Sequence, residues 1–387
     1  MKNTLKIVSV IIGTLIGAGF ASGKEIYIFF AKYGILGIMG ILISAVITGA
    51  ITYKVLKIVK QNQINNYKQL LEQINPKGHK INKIINIIVN AFLLTSFFIM
   101  IAGFSAYIKQ TFKINTYISS TVFVAICYII LRQNIKGVIK INEILVPLLI
   151  IFIIYLGIKN LGYISEATMP QIVAENGIKD IIASILSSIL YASYNSIILI
   201  PILANFGTYI KEEKTIKKVA IITVIVIVVL ALLIYGLLLR GINYASELEM
   251  PLIQIVKEFG NICKLIYEFV IIVSIYTSAI STGYSVLENT KQDTKKYTKQ
   301  YIKQNTKENI KQYIKPDTKQ NIKQKEKQNK KIVLILMCIT GIIISNIGFS
   351  KLVQILYPLF GILGLVQIYK VGRSKSGQKC PKRDRSM

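Results

Sequence analysis

Four glycines, Gly13, Gly17, Gly19 and Gly23, fall within eleven positions near the N-terminus, and Lys24 and Glu25 follow directly. Each glycine in a helix interior costs about 1 kcal/mol relative to alanine. Apolar residues flank the stretch on both sides, so the two charges lie in a run fit for a bilayer, where charge is costlier still. A plain anchor has no use for either feature. Two readings are open. Small residues four apart, Gly13–Gly17 and Gly19–Gly23, let helices approach closely. Alternatively, the helix unwinds near Gly17–Gly19 and offers backbone N–H and C=O groups to a ligand. A membrane tolerates that where the backbone lines a cavity or is buried in protein.

A second polar cluster, Ser187, Ser188, Tyr191, Ser193, Tyr194, Asn195 and Ser196, interrupts an apolar run that continues past Pro201. It is either a polar helix face packed on polar neighbours or a second interrupted helix. Two carboxylates also sit at membrane depth. Glu25 follows the glycines, and Glu268 lies about ten residues into another apolar run. A buried carboxylate can carry a proton during transport; the alternative is a structural pair with a lysine or hydroxyl. Neighbouring helical residues project about 100° apart, so Glu25 is expected to face inward and Lys24 to face a partner or the outer interface.

Covalent and metal chemistry has little to work with. Cys127, Cys263, Cys338 and Cys380 are scattered without a CxxC pair, and His79 is the single histidine. A zinc site needs a cluster of such ligands. There is no nucleophile–base pair and no phosphate loop, so the chain does not read as an enzyme. No cofactor is expected beyond a coupling ion, Na+ or H+.

The elements that must position these residues are apolar helices. Of 387 residues, 53% are hydrophobic, and the mean hydropathy is +0.53. That excludes a disordered chain, and four cysteines are too few for a disulfide-stapled secreted domain. Ten apolar segments stand out, at 5–31, 35–59, 82–109, 114–131, 141–158, 181–209, 217–239, 258–286, 331–347 and 352–369. Most reach the roughly 20 residues that a spanning helix needs; the fourth, fifth, ninth and tenth are short. The N-terminus has some features of a signal peptide. Apolar character resumes at Ile26–Phe30, however, and reads as one interrupted helix.

Lysine and arginine outnumber aspartate and glutamate by 47 to 18. With the N-terminus inside, 37 of the 47 basic residues fall in inside segments. The positive-inside rule then puts both termini in the cytoplasm and requires an even number of spans. Fourteen of the lysines lie in Lys291–Lys331, where lysine recurs at every fourth residue. Like charges at that spacing and Pro316 both oppose a continuous helix. The segment reads as a solvated low-complexity linker or as a polybasic strip on anionic lipids. Nucleic acid, through stacking on Tyr297, Tyr301 and Tyr313, is the weakest reading, because no RNA-binding fold surrounds them.

Interruptions in spans one and six lie five spans apart. Five is odd, so a second five-helix repeat starts from the opposite side. Paired interruptions in corresponding spans of such repeats point to a midplane binding site.

The stretch from Gly13 to Ile26, with Phe29-Phe30 and Tyr33-Gly34, resembles the opening of the YkvI-type bacterial membrane proteins. That family looks related to the amino acid–polyamine–organocation superfamily, which shares the LeuT-type fold. The resemblance covers nearly all ten spans in layout and is residue-specific mainly in span one. It implies a secondary transporter and supplies no substrate. It further implies that Gly17, Ala18 and Gly19 present amides to a substrate carboxylate, with Tyr191, Ser193, Tyr194 and Asn195 completing the pocket and Phe20 walling or gating it. LeuT-like sodium carriers hold an ion between spans one and eight. The matching positions are Gly13 and Ile16 for carbonyls and Thr277 and Ser278 for hydroxyls, with Ser281-Thr282 a turn later. Glu25 and Glu268 are the candidates if the coupling ion is a proton. The outside segment 241–257, with Pro251 near a helix start, reads as a short helix dipping back as a lid.

The expectation is an all-α polytopic protein of the bacterial inner membrane, with ten transmembrane helices in two inverted five-helix repeats and helices 1 and 6 interrupted. Residues 1–158 form the first repeat and 159–180 an external loop. Residues 181–289 carry helices 6–8, 290–331 the lysine-rich cytoplasmic segment, 332–370 helices 9–10 and 371–387 a basic tail. The expected partners are the lipid bilayer, a small solute and, through Lys291–Lys331, anionic lipids. The expected function is ion-coupled movement of a small amino-acid-like or organic-cation solute. The alternative is a non-transporting sensor on the same scaffold.

Overall fold

Apolar runs of 17 residues or more with no aqueous partner for their backbone satisfy their N–H and C=O groups internally, and the helix does this within one segment. The computed structural model describes residues 2–76, 78–132, 136–161, 177–207, 210, 212–305 and 316–374, and among these it is helical with no strand. The helices are α1 (Lys2–Leu15), α2 (Ala18–Ala21), α3 (Lys24–Phe29), α4 (Leu36–Gln61), α5 (Tyr67–Ile74), α6 (His79–Phe112), α7 (Thr116–Arg132) and α8 (Lys136–Asn160). Then follow α9 (Ile178–Leu203), α10 (Glu213–Arg240), α11 (Ile242–Ala245), α12 (Pro251–Lys257), α13 (Asn261–Asn305), α14 (Pro316–Ser345) and α15 (Phe349–Arg373).

Among the described residues, six helices are long and apolar enough to cross a membrane: α4, α6, α9, α10, α13 and α15. Shorter apolar helices, Thr4–Leu15, Thr116–Arg132, Pro147–Asn160 and Lys331–Ser345, coincide with the remaining expected segments. The outer faces are apolar: Ile182 and Ile185 on α9, Ile221 and Ile225 on α10, and Ile355 and Leu359 on α15 are all exposed. So much exposed aliphatic surface on a folded chain marks contact with lipid.

Helix α9 is packed on α15 along one side and on α4 along the other. Small residues set the spacing. A Cβ on Gly361 of α15 would lie 2.8 Å from the Leu190 carbonyl oxygen of α9.

One expected feature is corrected here. Helix α9 runs unbroken through Tyr191–Asn195, so span six is not interrupted. Its polar side chains are satisfied without unwinding. Ser188 Oγ donates to Ser184 O at 2.6 Å, Asn195 Nδ2 to Tyr191 O at 3.0 Å and Ser196 Oγ to Ser193 O at 2.6 Å. Others reach neighbouring backbone: Ser187 Oγ donates to Phe29 O at 2.8 Å, and Ser193 Oγ to Gly361 O at 2.5 Å. Pro201 is absorbed near the helix end, and a 3-10 turn at Ala204–Phe206 follows it.

The lysine-rich segment differs as well. Its described backbone is helical, prolonging α13 to Asn305 and opening α14 at Pro316. Lysine, glutamine and glutamate are good helix formers, and like charges four apart cost only about 0.2–0.5 kcal/mol a pair. Proline is tolerated in the first turn of a helix, which is where Pro316 stands. Residues 306–315, most of the loop at 159–180 and most of the tail at 371–387 lie outside the described residues.

Candidate functional site

The glycine-rich segment breaks twice. Helix α1 ends at Leu15, and Gly17 is extended at φ −93°, ψ −174°. The short helix α2 follows, so Ala18 and Gly19 are helical and the first break is at Ile16-Gly17. The second break is Ser22-Gly23, where Gly23 adopts φ +79°, a left-handed conformation that disfavours side chains with a Cβ. Ser22 bridges this turn: its Oγ donates to Gly19 O at 2.9 Å and accepts from Lys24 N at 3.3 Å.

Two carbonyls at the second break find distant partners. Tyr267 Oη donates to Ala21 O, and Leu252 N donates to Ser22 O at 3.2 Å. Helix α12 therefore lies over the second break, as the lid reading expects. Lys24, almost fully buried, turns away from the bundle centre toward the same loop. Its Nζ donates to the carbonyls of Ala245 (3.3 Å), Ser246 (3.0 Å) and Leu248 (2.7 Å). Gln110 on α6 holds Met250 from the other side, donating to its carbonyl and accepting from its amide, both at 3.3 Å.

Glu25 points inward. Tyr194 Oη on α9 donates to its Oε2 at 2.6 Å. Beside this pair is a cavity of about 380 Å³. Gly13 and Gly17 border it at the first break, and Glu25 borders it from α3. Tyr194 and Asn195 come from α9, and Ser278, Ser281 and Thr282 from α13. The remaining wall includes Phe92 of α6 and Tyr357 of α15. Their rings form a continuous surface: Tyr194 stacks on Tyr357 with centroids 4.6 Å apart, and Phe92 lies 6.2 Å from Tyr194. The cavity extends along α13 to Ser285 and along α9 to Ile202.

Several residues singled out by sequence are placed elsewhere. Ser193 faces α15, where it bonds Gly361. Phe20, Ile16 and Tyr191 border a separate void of about 10 Å³. Ala18 and Gly19 are buried in α2. Of the four ion candidates, Gly13 and Ser278 border the large cavity; Ile16 and Thr277 do not. Thr277 Oγ1 donates to Ser274 O at 3.1 Å. Glu268 stands apart from the cavity. Lys264 Nζ is 3.6 Å from its Oε1, close enough to pair and too far to hydrogen-bond. Sequence reasoning passed over Phe92 and Tyr357, because an aromatic residue inside an apolar run carries no mark of which way it faces.

Residues 3–304 match the spore permease family model, described as spore germination protein. The chain belongs to that family. It is also similar, at 26% identity over 370 residues (93% of this chain, 92% of the relative), to the membrane protein YkvI of Bacillus subtilis (strain 168). A second protein of that organism, YyaD, is 23% identical over 361 residues, covering 93% of this chain and 94% of its own length. Among solved structures, MhsT in complex with L-phenylalanine superposes with a TM-score of 0.59 at 16% identity, covering 94% of this chain and 87% of MhsT. The Eremococcus coleocola manganese transporter superposes with a TM-score of 0.51 at 12% identity, covering 96% and 95%. The chain is thus a multi-pass membrane protein of the spore permease family that is similar to YkvI and has the LeuT-type fold.

Proposed function

We propose that the chain is an ion-coupled secondary transporter of a small amino-acid-like or organic-cation solute, working by alternating access. The observation that carries this reading is the cavity itself. It lies at the break in the first helix and collects polar groups from α1, α3, α9 and α13. A midplane site at a discontinuous helix is where carriers of this build hold their solute. In this reading the ten apolar helices all span the membrane as two inverted five-helix repeats, 1–158 and from 181 onward, joined by 159–180. Residues 290–331 and 371–387 are cytoplasmic and both termini lie inside; the Ser285 and Ile202 end of the cavity then lies toward the cytoplasm.

Coupling has two chemical routes. Sodium wants oxygen ligands, and the hydroxyl wall of α13 offers them. Thr282 Oγ1 spends its proton on Ser278 O at 2.8 Å, which leaves oxygen lone pairs for a cation. A proton would instead use Glu25, with Glu268 as the second candidate. The lysines of 291–331 would rest on anionic lipid, each adding about 1 kcal/mol near the surface.

A receptor that binds without moving its ligand is the second reading; the family model is described as spore germination protein, which names a response, although the family is called a permease. Purified chain in proteoliposomes separates the two. Accumulation of a solute under an imposed sodium or proton gradient is the expected result and names the ion. Binding with no flux under any gradient overturns the transporter reading in favour of the receptor.

A further inference from the structure

Glu25 is a buried carboxylate with no cation paired to it among the described residues. Its side chain is almost wholly enclosed, and Tyr194 is its one hydrogen-bond donor among the described residues. The ion pairs among those residues are Lys57–Glu213, Arg240–Glu258 and Lys264–Glu268. Lys24, next in the chain, is spent on the carbonyls of the lid loop. Leaving a charge buried and unpaired is expensive, so the site is built for a cation that arrives from the cavity.

The position of the carboxylate sharpens this. It lies directly against the backbone of the broken segment. A Cβ added to Gly19 would overlap the carboxylate and come within 2.7 Å of Cδ and 2.8 Å of Cγ. A substrate carboxylate brought against Gly19 would meet Glu25 there, and two carboxylates at contact distance cannot both stay ionised. The surrounding walls favour the opposite charge. Phe92 and Tyr357 border the cavity beside Glu25, and aromatic rings attract ammonium groups, most strongly when desolvated.

We propose that the cavity recognises a small amine cation that carries no carboxylate, with Glu25 as its counter-ion and the Phe92, Tyr194 and Tyr357 rings as its apolar wall. The chain supplies for itself the carboxylate that an amino-acid ligand would bring. This rests on the cavity being the ligand site of the proposed transporter, and it narrows the solute from amino-acid-like or cationic to the second alone.

The test uses purified full-length chain and matched pairs of probes: L-phenylalanine with 2-phenylethylamine, L-leucine with 3-methylbutylamine, and L-lysine with cadaverine. Binding is measured by calorimetry and uptake in proteoliposomes. At least one amine should bind tenfold or more tighter than its parent amino acid. Glu25→Gln should weaken that amine tenfold or more, and Glu25→Asp less. A parent amino acid that outbinds its amine overturns the proposal, as does failure of every amine to bind or full binding by Glu25→Gln. If Glu25→Gln does not fold, the wild-type preference and Glu25→Asp decide. Amine binding without accumulation under any gradient leaves this inference standing and removes the transporter reading. Accumulation of amino acids without amines does the reverse.

Discussion

Replacing Gly23 by alanine tests the lid contact at its tightest point. Gly23 holds φ +79°, and a Cβ there would lie 2.6 Å from Leu252 Cγ, 3.1 Å from its Cδ1 and 3.3 Å from Leu238 Cδ2. The left-handed backbone costs an alanine about 1 kcal/mol. Displacing Leu252, itself 1% exposed, adds an overpacking cost of about 1–3 kcal/mol. Gly23→Ala is therefore expected to destabilise the fold by about 2–4 kcal/mol, read as equilibrium unfolding in mixed detergent micelles. A double-mutant cycle divides the two costs. Leu252→Ala removes the obstacle, so the double variant should be less destabilised than the sum of the singles by about 1–2 kcal/mol. The backbone cost should persist in it. Additivity within about 0.5 kcal/mol, or a Gly23→Ala variant as stable as the parent, would show that α12 does not seat on the second break.

Gly17→Leu puts a side chain where an added Cβ meets nothing within 4 Å, at the cavity edge. It should fold with an unchanged melting temperature and lose ligand uptake; uptake that survives would mean the ligand does not use the break. Tyr194→Phe removes the hydrogen bond to Glu25, worth about 1.5–3 kcal/mol for a charged partner. Unchanged unfolding would show that the bond contributes nothing. Lys24→Met strips three carbonyls of their donor, and hydrogen exchange of the Leu252 amide, which is bonded to Ser22 O, should quicken; an unaltered rate counts against Lys24 as the latch of the lid. Gly361→Val forces α15 away from Leu190 of α9 and should cost about 1–3 kcal/mol in the same unfolding assay, whereas a neutral result would mean that the two helices do not meet there.

The interrupted first helix was legible because its cause is local. Glycines at 13, 17, 19 and 23 lower the helix preference of their own segment, and no distant contact is needed to see that. The apolar segments were legible for the same reason: length and hydropathy are properties of consecutive residues. The polar cluster of span six misled because serine and asparagine can end a helix or bond back to its carbonyls, and composition does not distinguish the two. The neighbours that accept from Ser187 and Ser193 settled it in favour of an intact helix. Facing direction was likewise out of reach. Ser193 and Tyr194 are adjacent, yet one bonds α15 and the other reaches Glu25, 169 residues earlier in the chain. By itself the sequence determined that this chain enters a membrane and where its first helix must fail, since both follow from neighbouring residues. Tertiary structure alone decided which polar groups share the cavity with Glu25 and that Lys24 leaves it. Those outcomes depend on helix rotation, which only packing against other helices sets.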